Sequence, residues 1–82
     1  MRYEFLWDDD PDEGNVPHIA EHGLTPEDVE HAFHNVLRET TSRSTGRPAL
    51  FGLTADDRVL FVVFEEVATG LIYVFTAYET EE

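Results

Sequence analysis

The sequence predicts an α+β domain: an N-terminal strand, two short helices, then three or four strands in a mainly antiparallel sheet. Three observations carry this. An alternating aromatic stretch opens the chain, helix start and stop signals cluster between residues 15 and 36, and the chain after Leu37 has strand character broken by tight turns. Strand runs joined by short turns pair as hairpins, and a helix pair between them packs on one sheet face. With 82 residues the chain is expected to form a single domain over 1–82. A chain of this size buries about 60% of its unfolded surface, enough for one modest core.

Each element has a local reason. In Arg2–Trp7, Tyr3, Phe5 and Trp7 alternate with Arg2, Glu4 and Leu6, which is the period of a strand. The run Asp8-Asp9-Asp10-Pro11-Asp12-Glu13-Gly14 then supplies turn chemistry. A short helix is expected from about Val16 to His22, with Asn15 as N-cap, Pro17 in the first turn and Gly23 as the stop. The second helix has the strongest signal: Thr25 can cap, Pro26 takes the first helical position, and Asp28 completes a capping box. Leu24 and Val29 occupy the positions of a hydrophobic staple, and Val29, Ala32, Phe33 and Val36 recur at helical spacing. Arg38–Thr45 is polar and reads as an exposed strand or loop. Pro48–Thr54 follows with Leu50, Phe51 and Leu53, and Asp56-Asp57 makes a turn. Val59–Phe64 reads as a strand buried on both faces, Glu65–Gly70 turns again, and Leu71–Tyr78 is a last β-branched and aromatic strand.

Composition narrows the function classes. Eighteen acids oppose five bases, all arginine, for a net charge of −13. Such a charge repels polyanions, so non-specific association with nucleic acid or an anionic membrane is disfavoured. The absence of cysteine excludes disulfides, thiolate metal sites and thiol catalysis. The longest apolar run, Val59–Phe64, is far too short to span a membrane, and no signal peptide is visible, so a cytoplasmic protein is expected.

Three clusters invite a chemical reading. His18 and His22 are four apart on the first expected helix, with Glu21 beside them, but a metal site needs further ligands and no His-Glu-x-x-His motif is formed. Alternatively His22 simply faces the partial negative charge at the helix C-terminus. His31 and His34 lie off the apolar face of the second helix and are expected in solvent. An EF-hand counted from Asp8 has Glu13 where glycine is needed and Ile19 where glutamate is needed, so that test fails and no metal is expected. Third, Arg38, Arg43 and Arg47, opposed only by Glu39, form a local stretch of net +2 with hydroxyls at Thr40, Thr41, Ser42, Ser44 and Thr45. Arginine and hydroxyl donors suit a phosphate or carboxylate, with Arg38, Thr41 and Ser44 as candidate binding residues. The plain alternative is surface pairing with the surplus of acids. Neither a Gly-rich phosphate loop nor a Gly-x-Ser-x-Gly elbow is present.

The residues Phe5-Leu6-Trp7-Asp8, followed by the segment from Asn15 through His22-Gly23-Leu24-Thr25-Pro26-Glu27-Asp28 to Val29, resemble the opening of BrnT-like proteins, toxins of type II toxin–antitoxin pairs. Gly52-Leu53-Thr54, the turn at Asp56-Asp57-Arg58 and the ending Phe75-Thr76-Ala77 resemble the rest of that family. The resemblance implies a RelE-like fold, messenger RNA as substrate, a small antitoxin as partner and no cofactor. It makes His22, at the family's His-Gly position, the acid/base candidate, with Arg43 and Arg47 as candidates to hold the phosphate. Two departures stand out: Glu21 replaces a lysine usual before His-Gly, and Tyr78-Glu79-Thr80-Glu81-Glu82 is acidic where the family is basic. The chain therefore resembles an acidic, C-terminally shortened member with weakened RNA affinity. The competing expectation is a non-catalytic module on the same fold, binding a basic protein through Asp8–Asp12, Glu79, Glu81 and Glu82. A small-ligand or metal-binding protein built on His18 and His22 ranks last.

Overall fold

A computed structural model describes residues 3–80. In chain order the elements are β1 (Glu4–Leu6), α1 (Asn15–Ala20), α2 (Pro26–Phe33), β2 (Val36–Thr41), β3 (Pro48–Leu53), β4 (Val59–Ala68) and β5 (Leu71–Thr80). All the strands join one sheet in the order β1-β5-β4-β3-β2. β2 to β5 pair as antiparallel neighbours, while β1 runs parallel to β5 through Glu4↔Leu71 to Leu6↔Tyr73. The expected α+β class holds, and the sheet is mixed and five-stranded, larger than the three or four strands that the hairpin pattern implied. The extra pairing comes from β1 adding to the β5 edge, which no local turn signal announces. Arg2, Glu81 and Glu82, to which the sequence assigned strand or contact roles, lie outside the described residues. No described helix is long and apolar enough to cross a membrane.

Both helices cover the same sheet face. The core joins Ile19, Leu24, Val29, Ala32 and Phe33 to Leu50, Leu60, Val62, Ile72, Val74 and Ala77, with Tyr3, Phe5, Trp7 and Phe64 packed against it. Burial of this apolar set is the main favourable term in folding. The Thr25–Asp28 capping box forms in both directions, at 3.0 and 3.2 Å, with Pro26 at the first helical position. Gly52 lets α2 settle closely on β3, because a Cβ there would run into the Ala32 carbonyl.

Several expectations need correction. The first helix spans Asn15–Ala20, not Val16–His22, and Gly14 occupies its N-cap position. Asn15 is buried because its side chain stitches strands together: it accepts from the Asp8 N–H and donates to the Leu6 and Val74 carbonyls. These carbonyls sit where β1 ends and β5 runs on, so the amide completes a pairing that the short strand cannot. Gly23 does stop the helix: at φ 78° it allows the Leu24 N–H to reach the Ile19 carbonyl and its own N–H the Ala20 carbonyl, a Schellman closure. Val36 is not on the second helix. The helix ends at Phe33, Asn35 turns back onto the His31 carbonyl, and Val36 begins β2 with 41% of its surface exposed.

β2 is exposed at every position, as the polar sequence indicated. β4 is not covered on both faces: Leu60 and Val62 are fully buried beneath the helices, whereas Phe61 is half-buried on the opposite face. With both helices on one side, no second layer covers that face among the described residues. β4 also runs on to Ala68 through two register irregularities, so the expected turn shrinks to the Thr69-Gly70 region.

Candidate functional site

The face opposite the helices holds most of the residues singled out from sequence. Register places Arg38 beside Phe51, Phe51 beside Phe61 and Phe61 beside Tyr78 on successive strands. The Arg38 guanidinium lies 4.6 Å from the centre of the Phe51 ring. The Phe51–Phe61 and Phe61–Tyr78 ring centres are 5.0 and 5.4 Å apart. This row forms the floor of a concavity of about 480 Å³ whose wall comes from Thr40, Thr41, Ser42, Arg43 and Ser44. Arg38, Arg43, Thr41 and Ser44 therefore do converge. Ser42 is buried, with its hydroxyl 3.3 Å from that of Ser44, and its N–H bonds to the Arg47 carbonyl to close the β2–β3 hairpin.

A second group assembles on β5. Val74 and Ala77 are both buried in the core, and the register irregularity between them turns two consecutive residues, Phe75 and Thr76, to the open face. This is how a β-bulge re-aims side chains. The Arg47 guanidinium covers the Phe75 ring at 4.0 Å. His18 Nε2 stands 3.1 Å from the Thr76 hydroxyl, within hydrogen-bonding distance. His22, in the turn after α1, has its ring 5.8 Å from that of His18 and 6.2 Å from that of Tyr78. The helix that packs on β5 thus carries His18, and the turn after it His22, to the rim of the open face.

The structure separates residues that sequence grouped together. Arg38 and Tyr78 are three strand spacings apart, about 14 Å at about 4.8 Å per spacing. Arg38 therefore sits at the end of the concavity away from His22, while Tyr78, at its other end, has its ring 6.2 Å from that of His22. Arg47 is placed differently, since its ring partner Phe75 is adjacent to the Thr76 that contacts His18. Sequence reasoning missed the aromatic floor. Its signal was the two-residue alternation in Pro48–Leu53 and Val59–Phe64, which assigns Phe51 and Phe61 to the face opposite Leu50, Leu60 and Val62.

The remaining candidates serve the fold. Asp8 accepts from the Asp10 N–H, and Asp10 from those of Asp12 and Glu13; these two backbone donors hold the Asp10 carboxyl below its ordinary range. His31 is exposed and tied to the Leu53 carbonyl at 2.9 Å, while the equally exposed His34 caps α2. Arg58 pairs with Asp28, Asp56 and Glu79, which takes it out of the arginine group. Among the described residues no group of three or more histidines and carboxylates stands where it could share a metal ion. No protein-family model, curated protein or solved structure matches this chain.

Proposed function

We propose that this protein is a toxin-like endoribonuclease, of the BrnT and RelE kind, that takes single-stranded RNA across its open sheet face. The observation carrying the reading is the alignment of Arg38, Phe51, Phe61 and Tyr78 across four strands, with His22 past one end and Arg47 on neighbouring Phe75. Aromatic rings give bases a stacking surface, and arginines beside them hold phosphates. RNA transesterification needs a proton acceptor, a proton donor and a cation for the crowded phosphorus, all of which side chains can supply. His22 serves as acid/base group and Arg47 as the cation. Arg38 and Arg43, with Thr41 and Ser44, anchor a phosphate two or more nucleotides away. The resemblance of Asn15–Val29 to BrnT-like toxins supports the same reading, with a cytoplasmic setting and an antitoxin as partner.

The test is cleavage of single-stranded RNA by purified protein in the presence of a chelator. His22→Ala and Arg47→Ala are each expected to lower kcat by about 10²-fold or more, the scale of losing an acid/base or charge-stabilising group. Arg43→Ala is expected to raise KM with little change in kcat, as loss of a remote anchor does. Wild-type rates in His22→Ala would overturn the site.

A separate surface suits the partner. On the helix side, Tyr3, Phe33, Val36, Leu50, Phe64 and Ile72 line an apolar groove of about 250 Å³, bordered by Glu39 and Glu66. Apolar walls with acidic borders on a chain of −13 fit a cationic amphipathic segment, the chemistry expected of an antitoxin arm. Such binding weakens with added salt, and Glu39→Lys with Glu66→Lys should abolish it.

A further inference from the structure

We infer that His18 is the second acid/base group of this site, acting beside His22 on the reacting phosphate. The inference rests on the ribonuclease reading and deepens it. Cleavage at a 2′-hydroxyl requires two proton transfers at once. The 2′-oxygen bonds to phosphorus and gives its proton to a neutral imidazole, while the bond to the 5′-oxygen breaks and that oxygen takes a proton from an imidazolium. The products are a 2′,3′-cyclic phosphate and a 5′-hydroxyl, with no other reactant consumed. Two neighbouring imidazoles, one directed at each of the two reacting oxygens of a phosphate, meet this need, because each has to come within about 2.6–3.2 Å of its oxygen.

His18 stands next to His22. Its ring centre is 5.8 Å from that of His22, and the 81° angle between the rings keeps them edge to face. Its Nε2 is held by the Thr76 hydroxyl, and with the N–H of Nε2 donating to that oxygen in both the neutral and the charged ring, a single contact orients both protonation states. Nδ1 is then the proton-carrying atom. The bulge that turns Thr76 outward also turns Phe75, so the Arg47 guanidinium and the His18 ring hang from consecutive residues. The charged and titratable groups around His18 are Glu21 and His22 beyond its own helix, Asp12 and Glu13 from the preceding loop, and Tyr73 from β5. Tyr78 faces His22 instead.

The experiment measures kcat/KM against pH for cleavage of a single-stranded RNA oligonucleotide. The wild type is compared with His18→Asn, which keeps a polar partner for Thr76, and with Tyr78→Phe; circular dichroism verifies folding. The wild type should give a bell, since one ring must be neutral and the other charged. His18→Asn should lower the rate about 10²–10⁴-fold and leave a single limb, whereas Tyr78→Phe should keep both. A two-limbed bell at wild-type rate in His18→Asn would overturn the role of His18 and leave the ribonuclease standing. A wild type that cleaves no RNA would remove both.

Discussion

The salt dependence of RNA binding is the sharpest perturbation, because two electrostatic effects of opposite sign compete in this protein. A net charge of −13 repels RNA at long range, and added salt screens that repulsion. Taken alone, this makes binding tighten as salt rises. Arginines in contact with phosphates release counterions, and this makes binding weaken as salt rises. The structure puts three arginines, Arg38, Arg43 and Arg47, on or beside the open face. At about −0.7 per phosphate contact on a single strand, three contacts give a slope of about −2 in log K against log salt. Between 50 and 200 mM salt, affinity should then fall about 15- to 20-fold.

Fluorescence anisotropy of a labelled, uncleavable 2′-O-methyl oligonucleotide measures this slope. The Arg43/Arg47 double alanine variant should reduce its magnitude to about 0.7, the value for one remaining contact. A positive slope in the wild type would mean that global repulsion governs the encounter and that the arginines do not meet phosphates. A slope unchanged in the double variant would place the RNA elsewhere. Either result refutes the open face as the binding surface.

Two further predictions concern the scaffold. Gly52→Ala should destabilise the fold by about 1–3 kcal/mol, seen as a lower urea midpoint at unchanged m-value, because the new Cβ would stand 2.8 Å from the Ala32 carbonyl carbon and 2.9 Å from its Cβ. The Asp56 carboxyl is held below its ordinary 3.8, first by the Thr54 hydroxyl and then by Arg58. What this ionised group adds to stability is therefore present above that ordinary value and lost as pH falls through the lowered one. A carboxyl-carbon NMR titration should show Asp56 moving up in both Thr54→Val and Arg58→Ala, and further in the former.

What was legible in the sequence was what local chemistry determines. Thr25, Pro26 and Asp28 specify a helix start within four residues, and the structure forms that capping box in full. Gly23 specifies a stop, and it closes one. Asn15 was misread because a cap and a cross-strand clamp ask for the same amide, and only the β1–β5 pairing, made by residues 65 or more apart in the chain, decides between them. Val36 failed for a related reason: helical spacing continued past Phe33, but the Asn35 carbonyl is committed to the Leu53 N–H and the chain has already turned. The same limit applied to the site. Arg38, Arg43, Thr41 and Ser44 lie close in sequence and converge, whereas the placing of Arg47 and His18 on the consecutive residues Phe75 and Thr76 depends on a bulge in β5 that leaves no mark on composition.

The open face poses a problem that its arginines resolve. A row of part-exposed aromatic rings that no described element covers is a liability in water, where exposed apolar patches mark either association or a binding site. The guanidinium groups of Arg38 and Arg47 sit over Phe51 and Phe75 at 4.6 and 4.0 Å from the ring centres, so these side chains shield the rings while both residues stay exposed to water. In the proposed complex a base on Phe61 or Tyr78 would continue the same aromatic surface, and its phosphates would meet cations that the rings have already positioned. The acids elsewhere then favour that face by contrast, since a polyanion repelled by most of the surface finds its lowest potential where the bases are gathered. Net charge and site charge thus have opposite signs for one reason. On the proposed reading, the strongly acidic remainder, which taken alone speaks against RNA, directs RNA to the face where the arginines are gathered.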